Sequence, residues 1–139
     1  MWIIKTTILL ALLLYASVRD IKTREVPDSI SGMLLILGLV DTDIARLPSM
    51  LFGMFLVFIP QFISALINPS KALGGADIKI SSSAAFLLGA PEGLFALIIG
   101  LILAVIVMPI IRKIRKLQKD QPFPLIPFLS IGIIAGYFI

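Results

Sequence analysis

Six predominantly apolar runs, separated by short polar or basic stretches, constrain this chain more than any other feature. They cover about residues 2–18, 29–40, 47–67, 78–90, 94–111 and 123–139. A membrane helix needs roughly 20 such residues, within a range of about 17–25. The runs at 29–40 and 78–90 are short for a full crossing, and the one at 47–67 is interrupted by Pro60 and Gln61. The hydrophobic fraction is 59% and the mean hydropathy +1.10. A soluble domain is nearer about 45–50% apolar, and a soluble fold of 139 residues buries only part of such a surplus. The expectation is one all-α integral membrane domain over residues 1–139 with six transmembrane helices. The first run, with Lys5 ahead of apolar residues to Val18, has no small-residue cleavage site after it, so it is expected to be a retained helix.

Six crossings put the first, third and fifth loops on one side. Those loops hold Arg19, Lys22, Arg24, Lys71, Lys79, Arg112, Lys113, Arg115, Lys116 and Lys119, ten of the twelve basic residues; Lys5 and Arg46 lie on the other side. Basic loops mark the cytoplasmic face. Both termini are therefore expected outside, in a multi-pass protein of the cell (cytoplasmic or inner) membrane. The basic pI has the same explanation and implies no nucleic-acid partner. The short, polar starts of the second and fourth runs then face the cytoplasm. Polar backbone at that depth must be buried in protein or line a wet cavity, which points to a cytoplasm-facing notch.

The chain has neither cysteine nor histidine. That removes disulfides, thiolate metal sites, the usual zinc ligands and the usual neutral-pH base. No metal or cofactor is expected, and any catalysis must come from carboxylates, lysines, hydroxyls or backbone.

Eight acids are available. Asp41 and Asp43 fall in an outer loop, Glu92 in an outer Pro91-Glu92-Gly93 turn and Asp120 in a basic loop. Asp28 is placed to cap the second helix. These five read as solvated or capping charges. Asp20 lies in the polar loop Arg19–Asp28, just past the first apolar run. Asp77 lies at the entrance of the fourth, after Gly74-Gly75-Ala76. Their ordinary readings are a loop carboxylate paired with Arg19 or Lys22, and a helix N-cap. The functional reading is that ionisable groups next to the membrane core are costly and mark sites. Glycine permits positive φ and close backbone approach, so Gly74 and Gly75 would let an extended peptide lie beside Asp77.

Two segments carry a resemblance. Asp20-Ile21-Lys22-Thr23-Arg24-Glu25-Val26-Pro27-Asp28 resembles the first signature of the prepilin peptidases, an aspartate followed seven residues later by proline. Gly74-Gly75-Ala76-Asp77-Ile78-Lys79 resembles the second, Gly-x-Gly-Asp followed by a hydrophobic residue and lysine, with Ala76 in place of the second glycine. Pro122-Phe123-Pro124-Leu125-Ile126-Pro127-Phe128 is similar to the family's proline-rich entrance to the last helix. The resemblance implies a GxGD-type membrane aspartic endopeptidase with Asp20 and Asp77 catalytic and its active site at the cytoplasmic face. Gly74, Gly75, Ala76, Lys79 and Pro27 would support the site, with Lys79 tuning Asp77. The partner implied is a type IV pilin, tight-adherence pilin or archaellin-like precursor, with a hydrophobic amino-terminal helix and a short basic leader that Glu25 and Asp28 could meet. Nothing matches the cysteine-bearing insertion of the larger members, so cleavage without N-methylation is implied.

Three alternatives compete. A serine–lysine hydrolase would use Ser81, Ser82 or Ser83 with Lys79 or Lys71, although three serines in a row also suit close helix packing. A presenilin-like protease would want its first aspartate deeper in an apolar helix than Asp20. A polytopic ion or small-molecule transporter subunit would use the two aspartates as ion or proton sites.

Overall fold

The computed structural model describes residues 1–69, 74–116 and 124–139. Among these, six α-helices follow one another: α1 (Trp2–Thr23), α2 (Asp28–Leu39), α3 (Leu47–Ile67, preceded by a 3-10 turn at Ile44–Arg46), α4 (Gly75–Leu88), α5 (Ala90–Arg115) and α6 (Ile126–Phe138). No strand occurs among the described residues.

Three stretches are long and apolar enough to cross a membrane: Trp2–Thr23, Ile44–Ile67 and Ala90–Arg115. Pro60 and Pro109 lie inside α3 and α5 without ending them. The expected interruption at Pro60 is therefore absent. Membrane helices tolerate proline where neighbouring groups satisfy the freed carbonyl. The other three helices have 12, 14 and 13 residues. At 1.5 Å per residue they rise only about 18–21 Å, less than the roughly 30 Å of a bilayer core.

The reason is clearest in α4. Ile78 and every residue from Ile80 to Leu88 are buried, since α4 packs against α2, α3, α5 and α6. A helix sheathed by protein need not match the bilayer. Its hydroxyls are satisfied locally: Ser82 Oγ donates to Ile78 O at 2.6 Å and Ser83 Oγ to Lys79 O at 2.7 Å. Such back-bonding lets polar residues occupy an interior helix.

The outer helices are apolar on their outward faces instead. Val105 on α5 is 71% exposed while Leu34 on α2 is 0% exposed, an arrangement that needs lipid as its solvent. The main core joins Leu9, Leu13 and Ala16 of α1 with Leu34 of α2, Ile80 and Ala84 of α4 and Ile133 of α6. Helices α5 and α6 meet at Gly132, where a Cβ would run into the carbonyl oxygen of Ala96. The α4–α5 connection turns at Gly89 (φ 99°), a left-handed conformation that favours glycine. The tight turn expected at Pro91-Glu92-Gly93 thus lies one step earlier, and those three residues form the first turn of α5.

Lys5 and Arg46 cap helix ends. Lys5 Nζ donates to Val40 O at 2.9 Å, at the end of α2, and Arg46 donates to Leu88 O at 3.5 Å, at the end of α4. Cations at helix C-termini are favoured by the aligned peptide dipoles.

Candidate active site

Asp20 is not in a loop. Helix α1 continues past the apolar run to Thr23 and ends at Arg24, whose left-handed conformation (φ 59°) directs its N–H to Asp20 O at 3.1 Å. The polar residues from Arg19 onward complete the helix because its end leaves the apolar layer, where charged side chains reach water. Asp20 consequently lies on an ordered helix, 7% exposed.

Its carboxylate faces the start of α6. Asp20 Oδ2 accepts a hydrogen bond from Ile126 N–H at 3.0 Å, and the N–H of Leu125 also points to it. The first N–H groups of a helix have no partner within it and carry the positive end of its dipole. Asp20 therefore caps α6 from another helix. The proline-rich entrance sets this up, since Pro127 lies in the first turn, where a missing N–H costs nothing. Pro122 and Phe123 lie outside the described residues.

Asp77 occupies the third position of α4, after Gly74 (N-cap), Gly75 and Ala76. Its carboxylate accepts from the N–H of Gly74, the side-chain half of a capping box. It is half-buried. The Asp20 carboxylate acts on it electrostatically, so the two acids face one region although 57 positions separate them (77 − 20).

The glycines do not serve through positive φ. Gly74 is extended (φ −62°, ψ 154°), Gly75 and Ala76 are helical, and Gly89 is the positive-φ glycine among the described residues. What matters at Gly74 is proximity: a Cβ there would lie 3.2 Å from Asp77 Oδ2, whereas one on Gly75 would meet nothing within 4 Å. The methyl of Ala76 packs against the main core. Alanine is accommodated at this motif position because its methyl has an apolar place to go and its φ is ordinary.

Pro27 is the N-cap of α2 (φ −60°, ψ 140°), so Asp28 is its first helical residue rather than its cap. Asp28 instead pairs with Lys79, Oδ1 to Nζ at 2.8 Å. The Lys79 ammonium, expected to tune Asp77, is thus engaged with the start of α2. It ties the two helix entrances together beside Asp77. Glu25 is exposed, and Asp43 accepts from Ala45 N–H at 3.3 Å in the 3-10 turn.

Among the described residues no serine–lysine pair is assembled. The hydroxyls of Ser82 and Ser83 are bound to their own helix, and Ser81 Oγ lies 3.1 Å from both Ile78 O and Gln61 Oε1. Lys71, Lys119 and Asp120 lie outside the described residues. Among the described residues no three His, Cys, Asp or Glu side chains come together as a metal cluster. The amides of Leu125 and Ile126 were missed by sequence reasoning; the paired prolines around them were the available signal of a helix start.

The model of the type IV leader peptidase family matches residues 7–109, which includes both aspartates. No curated protein and no solved structure matches the chain.

Proposed function

The chain belongs to the type IV leader peptidase family, and from that premise we propose that it is a membrane aspartic endopeptidase whose catalytic pair is Asp20 and Asp77. The observation that carries this reading is that the last turn of α1 and the first turn of α4 bring Asp20 and Asp77 to the same end of the bundle, within electrostatic reach of one another. Two acids that repel one another do not both ionise at low cost, so the pair holds one proton between them. The ionised member takes a proton from water, and the protonated member hydrogen-bonds the scissile carbonyl. Water adds to the carbonyl carbon, the C–N bond breaks, and the leaving amine takes up a proton. No covalent enzyme intermediate forms. The pair titrates as a unit, so the base is not assigned to either residue.

The substrate class is a prepilin-like precursor with a hydrophobic helix in the bilayer and a basic leader at the cytoplasmic surface. The proposed topology has six crossings, with the ends of α1 and α5 and the starts of α2, α4 and α6 at the cytoplasmic face. Ten of twelve basic residues fall on that side. The exposed Glu25 is placed to meet the leader's charges. Cleavage proceeds without methyl transfer.

The test is cleavage, in membranes, of a pilin-like precursor with a basic leader and glycine at the cut. Wild type is compared with Asp20→Asn and Asp77→Asn, each checked for amount and insertion. Wild type should cleave and each variant should not. Cleavage surviving in both variants overturns the dyad. Ion or solute flux without any cleavage would favour a transporter that uses the same acids.

A further inference from the structure

The end of the bundle that carries Asp20 also holds a cavity of about 370 Å³ between the last turns of α1 and α5 and the first turn of α6. Its walls are apolar, with Ile21, Ile114, Pro124 and Phe128 among them, and Arg24 and Arg115 also line it. Neither guanidinium forms a hydrogen bond or close ion pair among the described residues, although the charge of Arg24 also reaches Asp20. A second space, a groove of about 330 Å³, runs down the seam of α1 and α6 past Ser17, Leu14 and Leu10 on one side and Ile131 and Ile134 on the other. Pro127 lines both spaces, and on α1 the lining residues Leu14, Ser17, Ile21 and Arg24 follow one another at three- and four-residue steps, so the two spaces lie end to end along one face of that helix.

We propose that the groove and cavity together bind one anionic phospholipid, with its acyl chain along the α1–α6 seam and its phosphate between Arg24 and Arg115. Length and charge select this occupant. From Leu10 to Arg24 the chain rises about 21 Å along α1, enough for one leaflet's share of a roughly 30 Å hydrocarbon core plus the headgroup layer. The seam has the depth profile of a lipid: apolar for its length, then cationic at its end. Two guanidiniums suit a phosphate, which they can bind in a planar, forked geometry. Lys22, Arg112 and Lys113 lie on nearby turns of the same helices but do not line the cavity. A basic peptide is repelled at the same place, so the substrate's leader is not the occupant. The inference does not depend on the peptidase reading.

Native mass spectrometry of the chain in detergent tests it, with titration by phosphatidylglycerol and by phosphatidylcholine of the same chain lengths. Wild type should hold one phosphatidylglycerol at least about tenfold more tightly than phosphatidylcholine. Arg24→Gln with Arg115→Gln should bring the two lipids level. Lys22→Gln with Lys113→Gln removes as much charge outside the cavity and should leave the preference within about threefold. Ile131→Trp fills the groove at an exposed position, keeps both arginines and should weaken phosphatidylglycerol about tenfold. Equal affinity of wild type for the two lipids would overturn the proposal. So would an equal loss in the lysine variant, which means diffuse surface charge only. Displacement of the lipid by millimolar inorganic phosphate, or no effect of Ile131→Trp, would overturn the acyl seat and leave a simple anion site.

Discussion

Asp20 Oδ2 lies 3.0 Å from the backbone nitrogen of Ile126, so an acid at the end of the first helix caps the beginning of the last. This contact joins α1 to α6 at the candidate site and gives the two chemical forms of residue 20 different consequences for stability and for activity.

Replacing Asp20 by alanine leaves the buried N–H groups of Leu125 and Ile126 without an acceptor. The cost of an unmet buried donor is about 1–3 kcal/mol. Asp20→Asn retains an acceptor oxygen and should cost less. Thermal unfolding in detergent should therefore rank wild type, Asp20→Asn and Asp20→Ala in descending order, with both variants inactive. Equal stability of the two variants would remove the cap from the account.

Cleavage should depend on pH as a bell. At low pH both carboxyls are protonated and no base remains; at high pH both are ionised and no acid remains to polarise the carbonyl. A rate that rises to a plateau without falling again would mean that only one group titrates in the active form.

The glycines before Asp77 should behave differently from one another. Gly74→Ala puts a methyl about where Asp77 Oδ2 needs room and should lower the cleavage rate about tenfold, equivalent to roughly 1.4 kcal/mol. Gly75→Ala meets nothing within 4 Å and should leave the rate near wild type, with stability unchanged or slightly raised. If both substitutions have the same effect, the proximity of Gly74 is not what matters.

The Lys79–Asp28 pair is largely exposed on both sides, so its contribution to stability should be within about 1 kcal/mol. Its expected effect is on the placement of α2 against α4. Lys79→Asp and Asp28→Lys should each reduce cleavage, and the double exchange should recover most of it. Failure of the exchange to recover activity, with normal insertion of all three proteins, would assign Lys79 a role of its own.

The helical class, the membrane environment and the two candidate aspartates of the proposed site were legible along the chain because each leaves a local mark: an apolar run, a basic loop, an acid after glycines. Other features were not. The polar residues Arg19–Thr23 looked like a loop because hydropathy marks where apolar surface ends, and that need not be where backbone hydrogen bonding ends. The turn near residue 90 was placed at Pro91–Gly93, although proline is favoured in a helix's first turn and Gly89 carries the positive φ.

Sequence alone determined which segments must avoid water, which end of the bundle collects the positive charge, and which carboxylates lie near its apolar layer. These follow from the transfer energies of side chains, which belong to each residue wherever it lies. Tertiary structure alone decided that Asp20 and Asp77 come to the same end of the bundle, that the amides of α6 hold Asp20, that Lys79 turns to Asp28, and that α4 can be short and rich in serine because protein surrounds it. Each of these is a contact between helices far apart in the chain. Such contacts are settled by how the helices pack against one another, through close approaches such as Gly132 against Ala96, and no local pattern encodes that packing.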